Sequence, residues 1–344
     1  FVRGEAIQLG VWNQEKYQFE KYGWVPEMNS VVLQAKTAFE RREFSYPEYE
    51  IGKFPGTDLP AVMNLHDATT HHLAILGITG AGKSLIAREI IRQLLKDTKL
   101  VCIDFTGEYS EKLKDLSPEI IVDKNRLDEL EDLLAKKADS DRQKKSADVL
   151  ALKKKIHERL TEHVTTFVTS QNHLGLFELP DLSNTTFILE FTQQFLDAVF
   201  KYVKDKEKNK DGKRVCIVIE EAHTVVPETS SLGDLGDYGS NKALVNKIGQ
   251  IALQGRKYGV GFIIIAQRTA NVSKTVLTQC NSIISFQAFD QTSFGFLENY
   301  VGKDLINALP NLKQYHAIVC GKGFKSNIPM IVDLTRETKD GTPS

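Results

Sequence analysis

The sequence predicts an α/β fold built on a mostly parallel sheet, and three observations predict it. From His71 onward, apolar runs of four to seven residues alternate with amphipathic helical segments, the layout of a parallel sheet covered on both faces. Several of those runs, VCIVI and FIII most plainly, are β-branched and nearly free of charge, as strands buried on both sides must be. The glycine-rich stretch Gly77–Ser84, GITGAGKS, lies where the run HLAIL ends and the helix-like SLIAREIIRQLL begins, a junction at which open α/β sheets bind ligands.

Taken in order, residues 1–65 carry Gly10, Gly23, Pro26, Pro47, Pro55 and Pro60 as punctuation and no long helical periodicity, which predicts a small β-rich entry domain. The core is expected over 66–334, with a tail at 335–344. Its candidate strands are 72–77, 99–104, 119–123, 185–190, 215–220, 260–266, 281–287 and 315–320. Between about 124 and 164 the chain is rich in Lys, Glu and Asp, with Leu127, Leu130, Leu133, Leu134, then Leu152, Ile156 and Leu160 at helical spacing. That pattern predicts an inserted helical hairpin with one packing face and one solvated face. Residues 203–214, VKDKEKNKDGKR, read as a solvated connection, and 228–241, ETSSLGDLGDYGSN, as a mobile loop too acidic to track phosphates. There is no internal repeat.

With 41% hydrophobic and 26% charged residues, the 344-residue chain is ordinary for a globular protein, which excludes disordered and fibrous classes. A formal charge of -1 lacks the basic excess of a protein that coats nucleic acid, so any DNA contact must be local. Cys102, Cys216, Cys280 and Cys320 sit in or beside apolar runs without metal-ligand spacing and read as buried reduced thiols. No apolar run approaches the ~18 residues needed to span a bilayer and there is no signal-peptide layout, so the expectation is a cytoplasmic protein with no membrane partner. The chain opens on Phe1 rather than Met, which points to a trimmed piece of a longer chain.

GITGAGKS completes the pattern GxxxxGK[ST] of the P-loop, which makes ATP with magnesium (Mg2+) the expected cofactor pair. Gly77, Thr79, Gly80, Ala81, Gly82, Lys83, Ser84 and Leu85 form the expected nucleotide-binding turn. Its glycines let successive N–H groups close around phosphate oxygens, Lys83 reaches the outer phosphates, and Ser84 offers its hydroxyl to the metal. Hydrolysis also needs a metal-holding carboxylate and a group that orients water. The run VCIVIEEAH supplies candidates: Glu220 for the metal shell and Glu221 for the water. Paired acids at the end of a buried strand are costly without a partner, although acids also begin surface helices. GFIIIAQ ends in Gln267, a candidate sensor of the terminal phosphate, or else a polar strand end. Asp104, at the end of LVCID, would face the same crevice as a metal or water support, or cap the following turn.

The segments HHLAILGITGAGKS, IDFTGEYS, VIEEAHTVVP, QGRKYGVGFIIIAQR and VSKTVLTQCNSIISF, in this order, closely resemble the HerA branch of the HerA/FtsK ATPases. The resemblance covers about residues 51–332 and includes EEAH in place of the more usual DE pair. IGKFPGTDLPAVMNL resembles the later part of the small β-barrel that precedes the ATPase core in that family. The resemblance implies a P-loop NTPase core behind a barrel-like domain. It also implies a homo-oligomeric ring, expected to be a hexamer, with nucleotide between subunits and a channel able to admit duplex DNA. A neighbour's cation would then neutralise transition-state charge, an effect worth ~10³ or more in rate. Arg256 is the leading candidate, the bland alternative being an exposed helix-terminal Arg. Many members of the family carry Arg where this chain has His71, a departure that bears on motor activity, and His72 reads as a packed strand residue.

Two functions follow from the resemblance. One is an ATP-driven DNA translocase or helicase-type motor working with a nuclease, for which Lys274 and Lys303 are candidate channel residues. The other is an ATPase ring that scaffolds and controls an effector, a nuclease or NAD-cleaving enzyme, in bacterial anti-phage defence. A binding module without turnover is disfavoured by Glu221 beside Glu220.

Overall fold

Two hairpins open the chain, β1 (Val11–Asn13) with β2 (Gln18–Glu20) and β3 (Glu48–Lys53) with β4 (Pro60–Asn64). They belong to a computed structural model that describes residues 10–21, 23, 27, 31, 42–178, 185–208, 214–228, 238–326 and 328–335. The short helix α1 (Leu65–Thr70), capped by Asn64 on the Asp67 N–H, leads into β5 (Leu73–Leu76) and then α2 (Lys83–Leu94). Next come β6 (Thr98–Asp104), α3 (Tyr109–Lys112), β7 (Glu119–Ile120), α4 (Lys124–Arg142), α5 (Ser146–Thr169) and β8 (Leu174–Glu178). They are followed by α6 (Thr185–Lys208), β9 (Arg214–Ile219), α7 (Ala222–Val225), α8 (Tyr238–Gly255), β10 (Val260–Ala266) and α9 (Lys274–Leu277). The chain closes with β11 (Ser282–Ser285), α10 (Gln291–Val301), α11 (Lys303–Ile306), β12 (His316–Gly321) and β13 (Met330–Asp333). Residues 229–237 of the predicted acidic loop, 209–213 of the basic connection, the tail from 336, and most of 1–41 lie outside the described residues.

The chain divides into two compact units, Phe1–Ile86 with Cys280–Ser344, and Ala87–Gln279. The first takes strands from both chain ends, in the order β4-β3-β13-β12-β11-β5. Only β11 and β5 run parallel there, and the other neighbours are antiparallel. Residues 48–64 therefore share a sheet with the C-terminal strands, through the pairing of Lys53 with Asp333. The second unit is wholly parallel, ordered β10-β9-β6-β8-β7. Every residue of β6 and β10 is buried; β10, VGFIIIA, accordingly reads as an unbroken apolar run, whereas β6, TKLVCID, buries polar residues at both ends of its apolar centre.

One predicted strand is corrected. Residues 185–190 begin the 24-residue helix α6, and the strand of that region is β8, LGLFE. The window TTFILE looks like a strand because it is short, β-branched and aromatic. The wider pattern of Leu189, Phe191, Phe195, Leu196, Val199 and Val203, all buried, has helical spacing and decides the outcome. The stacked rings of Phe177 on β8 and Phe195 on α6, 4.1 Å apart, join the two elements.

Helices α4 and α5 form an antiparallel hairpin, with Arg159 bound to Glu129 at 3.2 Å. Leu127, Leu130, Leu133, Leu134, Ile156 and Leu160 are buried, whereas Leu152 is half-buried. The hairpin is fastened at its end by Lys99 of β6, 1% exposed, whose ammonium donates to the carbonyls of Phe167, Ser170 and Asn172. Carbonyl dipoles at a helix C-terminus take the place of water around such a buried amino group and offset the cost of its burial. Close approach explains Gly175 on β8, since an added Cβ would lie 2.7 Å from the Phe167 ring and 2.8 Å from Ile121. No helix among the described residues is long and apolar enough to cross a membrane.

Candidate active site

In the first unit, the loop after β5 is braced by the end of β11. The Phe286 N–H donates to the Leu76 carbonyl at 2.8 Å, and the Ile78 N–H donates to the Gln287 carbonyl at 3.0 Å. Gly77, Gly80 and Gly82 have φ of 142°, 78° and 118°, values that side chains resist. Gly82 is needed twice over, because a Cβ there would meet the Tyr315 ring at 2.8 Å and the Phe286 ring at 3.1 Å. Thr79 and Gly80 are exposed at the tip, and Lys83 is only 6% exposed. Its Nζ donates to the Ile78 carbonyl at 2.9 Å, and the Ala81 N–H reaches the same oxygen at 3.4 Å. Two donors from the loop thus converge on one oxygen, which is what a phosphate oxygen requires. Ser84 and Leu85 sit in the first turn of α2, half-buried.

In the second unit, carboxylates gather after the carboxyl ends of adjacent parallel strands. Glu220, directly after β9, is 6% exposed and accepts from the Tyr109 hydroxyl at 2.5 Å. Burial pushes its carboxyl up to about 7, against the Tyr109 hydrogen bond and with help from the charges of Glu221 and Asp104. Burial and the charge of Glu220 in turn hold the Tyr109 hydroxyl well above its ordinary range. Asp104, ending β6, is fully buried. One of its oxygens accepts from the Thr106 N–H at 2.8 Å and hydroxyl at 2.6 Å, the other from the Tyr109 N–H at 2.8 Å. Its carboxylate therefore builds the turn that presents Tyr109 to Glu220. Glu178, ending β8, accepts from the Ser110 N–H at 2.9 Å, and burial raises its carboxyl.

Glu221 adopts φ 46°, a left-handed conformation uncommon for a side-chain-bearing residue, at the start of α7. Its Oε1 accepts from Gln267 Nε2, and His223 Nδ1 lies 3.3 Å from its Oε2. Glu221 and Gln267, predicted separately, are thus brought together after the ends of neighbouring strands β9 and β10. Arg256 is exposed and precedes β10, so the seven residues of that strand, roughly 23 Å, separate it from Gln267.

The structure also places the remaining candidates. His71 caps α1 through the Asp67 carbonyl and lies before β5, at the opposite strand end from the cradle. A cavity of about 940 Å³ beside it, lined by Asp67, Tyr300, Cys320 and Lys322, belongs to that amino end and not to the phosphate loop. His72 is 2% exposed, as a packed residue should be. Lys274 is exposed at the start of α9, and Lys303 lies 3.9 Å from Glu298. Tyr109, although inside IDFTGEYS, and Glu178 were not anticipated as site residues. An apolar run ending in an acid, LGLFE, repeats the signal of VCID and VCIVIE and could have revealed Glu178.

Magnesium is normally held by one or two carboxylates together with substrate phosphates rather than by an all-protein cage. Taken separately, each unit offers a donor of that kind: the Ser84 hydroxyl in the first, and in the second Glu220, a buried carboxylate for which a cation would offset the cost of ionisation. Among the described residues no group of three or more His, Cys, Asp or Glu side chains could hold an ion by itself.

A P-loop on an α/β core, with carboxylates and a glutamine after parallel strands, defines a P-loop NTPase. Comparison with known proteins narrows the class. The family profile described as "Helicase HerA, central domain" matches residues 49–213. A probable helicase of Methanocaldococcus jannaschii is 24% identical over 420 residues, spanning 95% of this chain and 78% of that protein. The DNA double-strand break repair helicase HerA of Sulfurisphaera tokodaii is 23% identical over 366 residues, spanning 85% and 70%. The solved structure of VirB4 of Thermoanaerobacter pseudethanolicus matches with a TM-score of 0.52 at 13% identity, over 82% of this chain and 95% of that chain, a likeness of fold alone. Over most of its length the chain is thus similar to HerA-like members of the HerA/FtsK ATPases.

Proposed function

We propose that this chain is an ATP-hydrolysing subunit of a homo-oligomeric ring, a hexamer by family resemblance, that drives duplex DNA in concert with a nuclease. The observation that carries the ATPase reading is the pairing of Glu221 with Gln267 after adjacent strands. A carboxylate held by an amide is fixed in rotamer and remains an acceptor, the state needed to orient water for attack on a terminal phosphate. Lys83 and the loop N–H groups grip the triphosphate, Gln267 senses its terminal group, and Asp104 supports the turn rather than the metal. Ser84 and Glu220 would hold the magnesium that neutralises phosphate charge. Arg256, a strand's length from Gln267 in its own chain, acts only on the nucleotide of another copy.

The DNA role comes from the relatives named as repair helicases. A chain charge of -1 supports a second reading, the ring that controls an effector enzyme in anti-phage defence. Duplex binding by the assembled, ATP-loaded protein, measured across salt concentrations, tests the choice. Each phosphate neutralised contributes about 0.9 to the slope of log affinity against log salt, so a motor gripping several phosphates gives a steep decline. A flat response, or no binding, removes the translocase and leaves the effector reading. Wild-type ATPase activity in an assembled Arg256→Ala variant would remove the trans role.

A further inference from the structure

Three consecutive cradle residues are touched by one turn that the nucleotide chemistry does not otherwise use. Gln314 Nε2 donates to the Gly80 carbonyl at 3.0 Å, the Tyr315 N–H donates to the Ala81 carbonyl at 3.0 Å, and the Tyr315 ring lies over Gly82. We infer that the Gln314–Tyr315 turn is a positioning device that sets the direction of the cradle's N–H groups, an inference that rests on the ATP reading above.

The physical reason is the planarity of the peptide bond. In a trans peptide the carbonyl and the next N–H point in opposite directions. Holding the Gly80 and Ala81 carbonyls on the side of the turn therefore aims the N–H groups of Ala81 and Gly82 away from it. The Ala81 N–H accordingly reaches the Ile78 carbonyl, the same oxygen that Lys83 Nζ binds. The turn thus helps preset donors that would otherwise have to be ordered when a phosphate arrives, which is a gain in affinity through preorganisation.

Two further features mark the turn as more than a connection. Tyr315 has φ 62°, a left-handed conformation that is a genuine outlier for a bulky residue and persists only where the surroundings impose it. Here they impose it from both sides. The Ala81 carbonyl takes its N–H, and its own carbonyl accepts from the Leu334 N–H at 2.8 Å, just beyond β13. The strained residue is therefore pinned between the cradle and the β12–β13 hairpin. Glycine would adopt this φ more easily, but it would remove the ring that closes over Gly82.

The test uses the full chain and compares wild type, Gln314→Ala, Tyr315→Phe, the double variant Gln314→Ala/Tyr315→Gly, and Lys83→Ala. Binding of a fluorescent ATP analogue, melting with and without nucleotide, and steady-state hydrolysis are measured. Gln314→Ala is expected to weaken nucleotide binding about 3–10-fold, as one hydrogen bond is lost, and the double variant about 10–100-fold, as the ring contact and the rigid left-handed residue are lost as well. KM should rise with kcat nearly unchanged, because the cradle grips ground state and transition state alike. Tyr315→Phe, which keeps the ring and the backbone, should bind as wild type does. If Lys83→Ala loses nucleotide while Gln314→Ala and the double variant bind normally, the inference is overturned and the ATP reading stands. A lowered kcat at unchanged KM, with lower melting of the nucleotide-free protein, would reduce the turn to ordinary packing and also overturn it. If Lys83→Ala binds ATP normally, the ATP reading falls and takes the inference with it. Because Gln314 is exposed, its variant is expected to fold even if the double variant does not.

Discussion

The phosphate loop of the first unit and the carboxylate edge of the second are made from opposite materials. The loop relies on backbone: glycines at positive φ, carbonyls held by a neighbouring turn, and a single lysine. The edge relies on side chains: Glu178, Asp104 and Glu220 after adjacent strands, organised by Tyr109, Thr106 and Ser110. A backbone site is set by local conformation and tolerates few residues at fixed spacing. A buried carboxylate site is set by partners distant in sequence, and its cost is electrostatic. The first should thus fail by losing ligand, and the second by losing rate or changing with pH.

The largest expected effect sharpens that contrast. Glu221→Gln keeps an acceptor for Gln267 but removes the charge, and should lower ATP turnover about 10²–10⁴-fold with nucleotide binding retained. Turnover within a few fold of wild type, in a single-turnover assay, would break the assignment. Next comes pH. Because Glu220 is raised to about 7, the unfolded state ionises first as pH rises from about 4.5, and the folded state follows only near 7. Stability is therefore fully present below about pH 4.5 and declines by on the order of 3 kcal/mol by pH 7–8, where both states are ionised. Nucleotide-free denaturation profiles at pH 5 and 8 should show this decline, and Glu220→Gln should flatten it. An unchanged decline in the variant would place its source elsewhere.

A smaller effect probes packing under the acidic edge. Gly175→Ala places a methyl against Phe167 and Ile121 and should cost about 1–3 kcal/mol by overpacking. Melting temperature should fall while ATP affinity, a property of the phosphate loop, stays within about twofold. Equal loss of both would erase the distinction between the two regions.

Much of this was legible in residue order, and the reasons differ by region. GITGAGKS announces itself because a phosphate turn needs particular residues at consecutive positions. The fully buried strand β10 announces itself because no polar residue interrupts VGFIIIA. The strand at 185–190 failed because six residues cannot distinguish a buried strand from the first turns of a buried helix, and the stacking of Phe177 on Phe195 lies outside any local window. Asp104 was found as a residue, and its hydrogen bonds to Thr106 and Tyr109, two and five residues on, realise the turn-capping alternative that the sequence offered.

By itself the sequence determined the α/β class, the phosphate loop, the paired glutamates and the helical hairpin, because each depends on spacing within a few residues. Tertiary structure alone decided that strands from both chain ends share one sheet, that Tyr109 holds Glu220, that Gln267 holds Glu221, and that Gln314 and Tyr315 brace the loop. Those pairings join residues separated by 46 to 234 positions, so they come from folding geometry and the need to satisfy buried polar groups, not from local pattern.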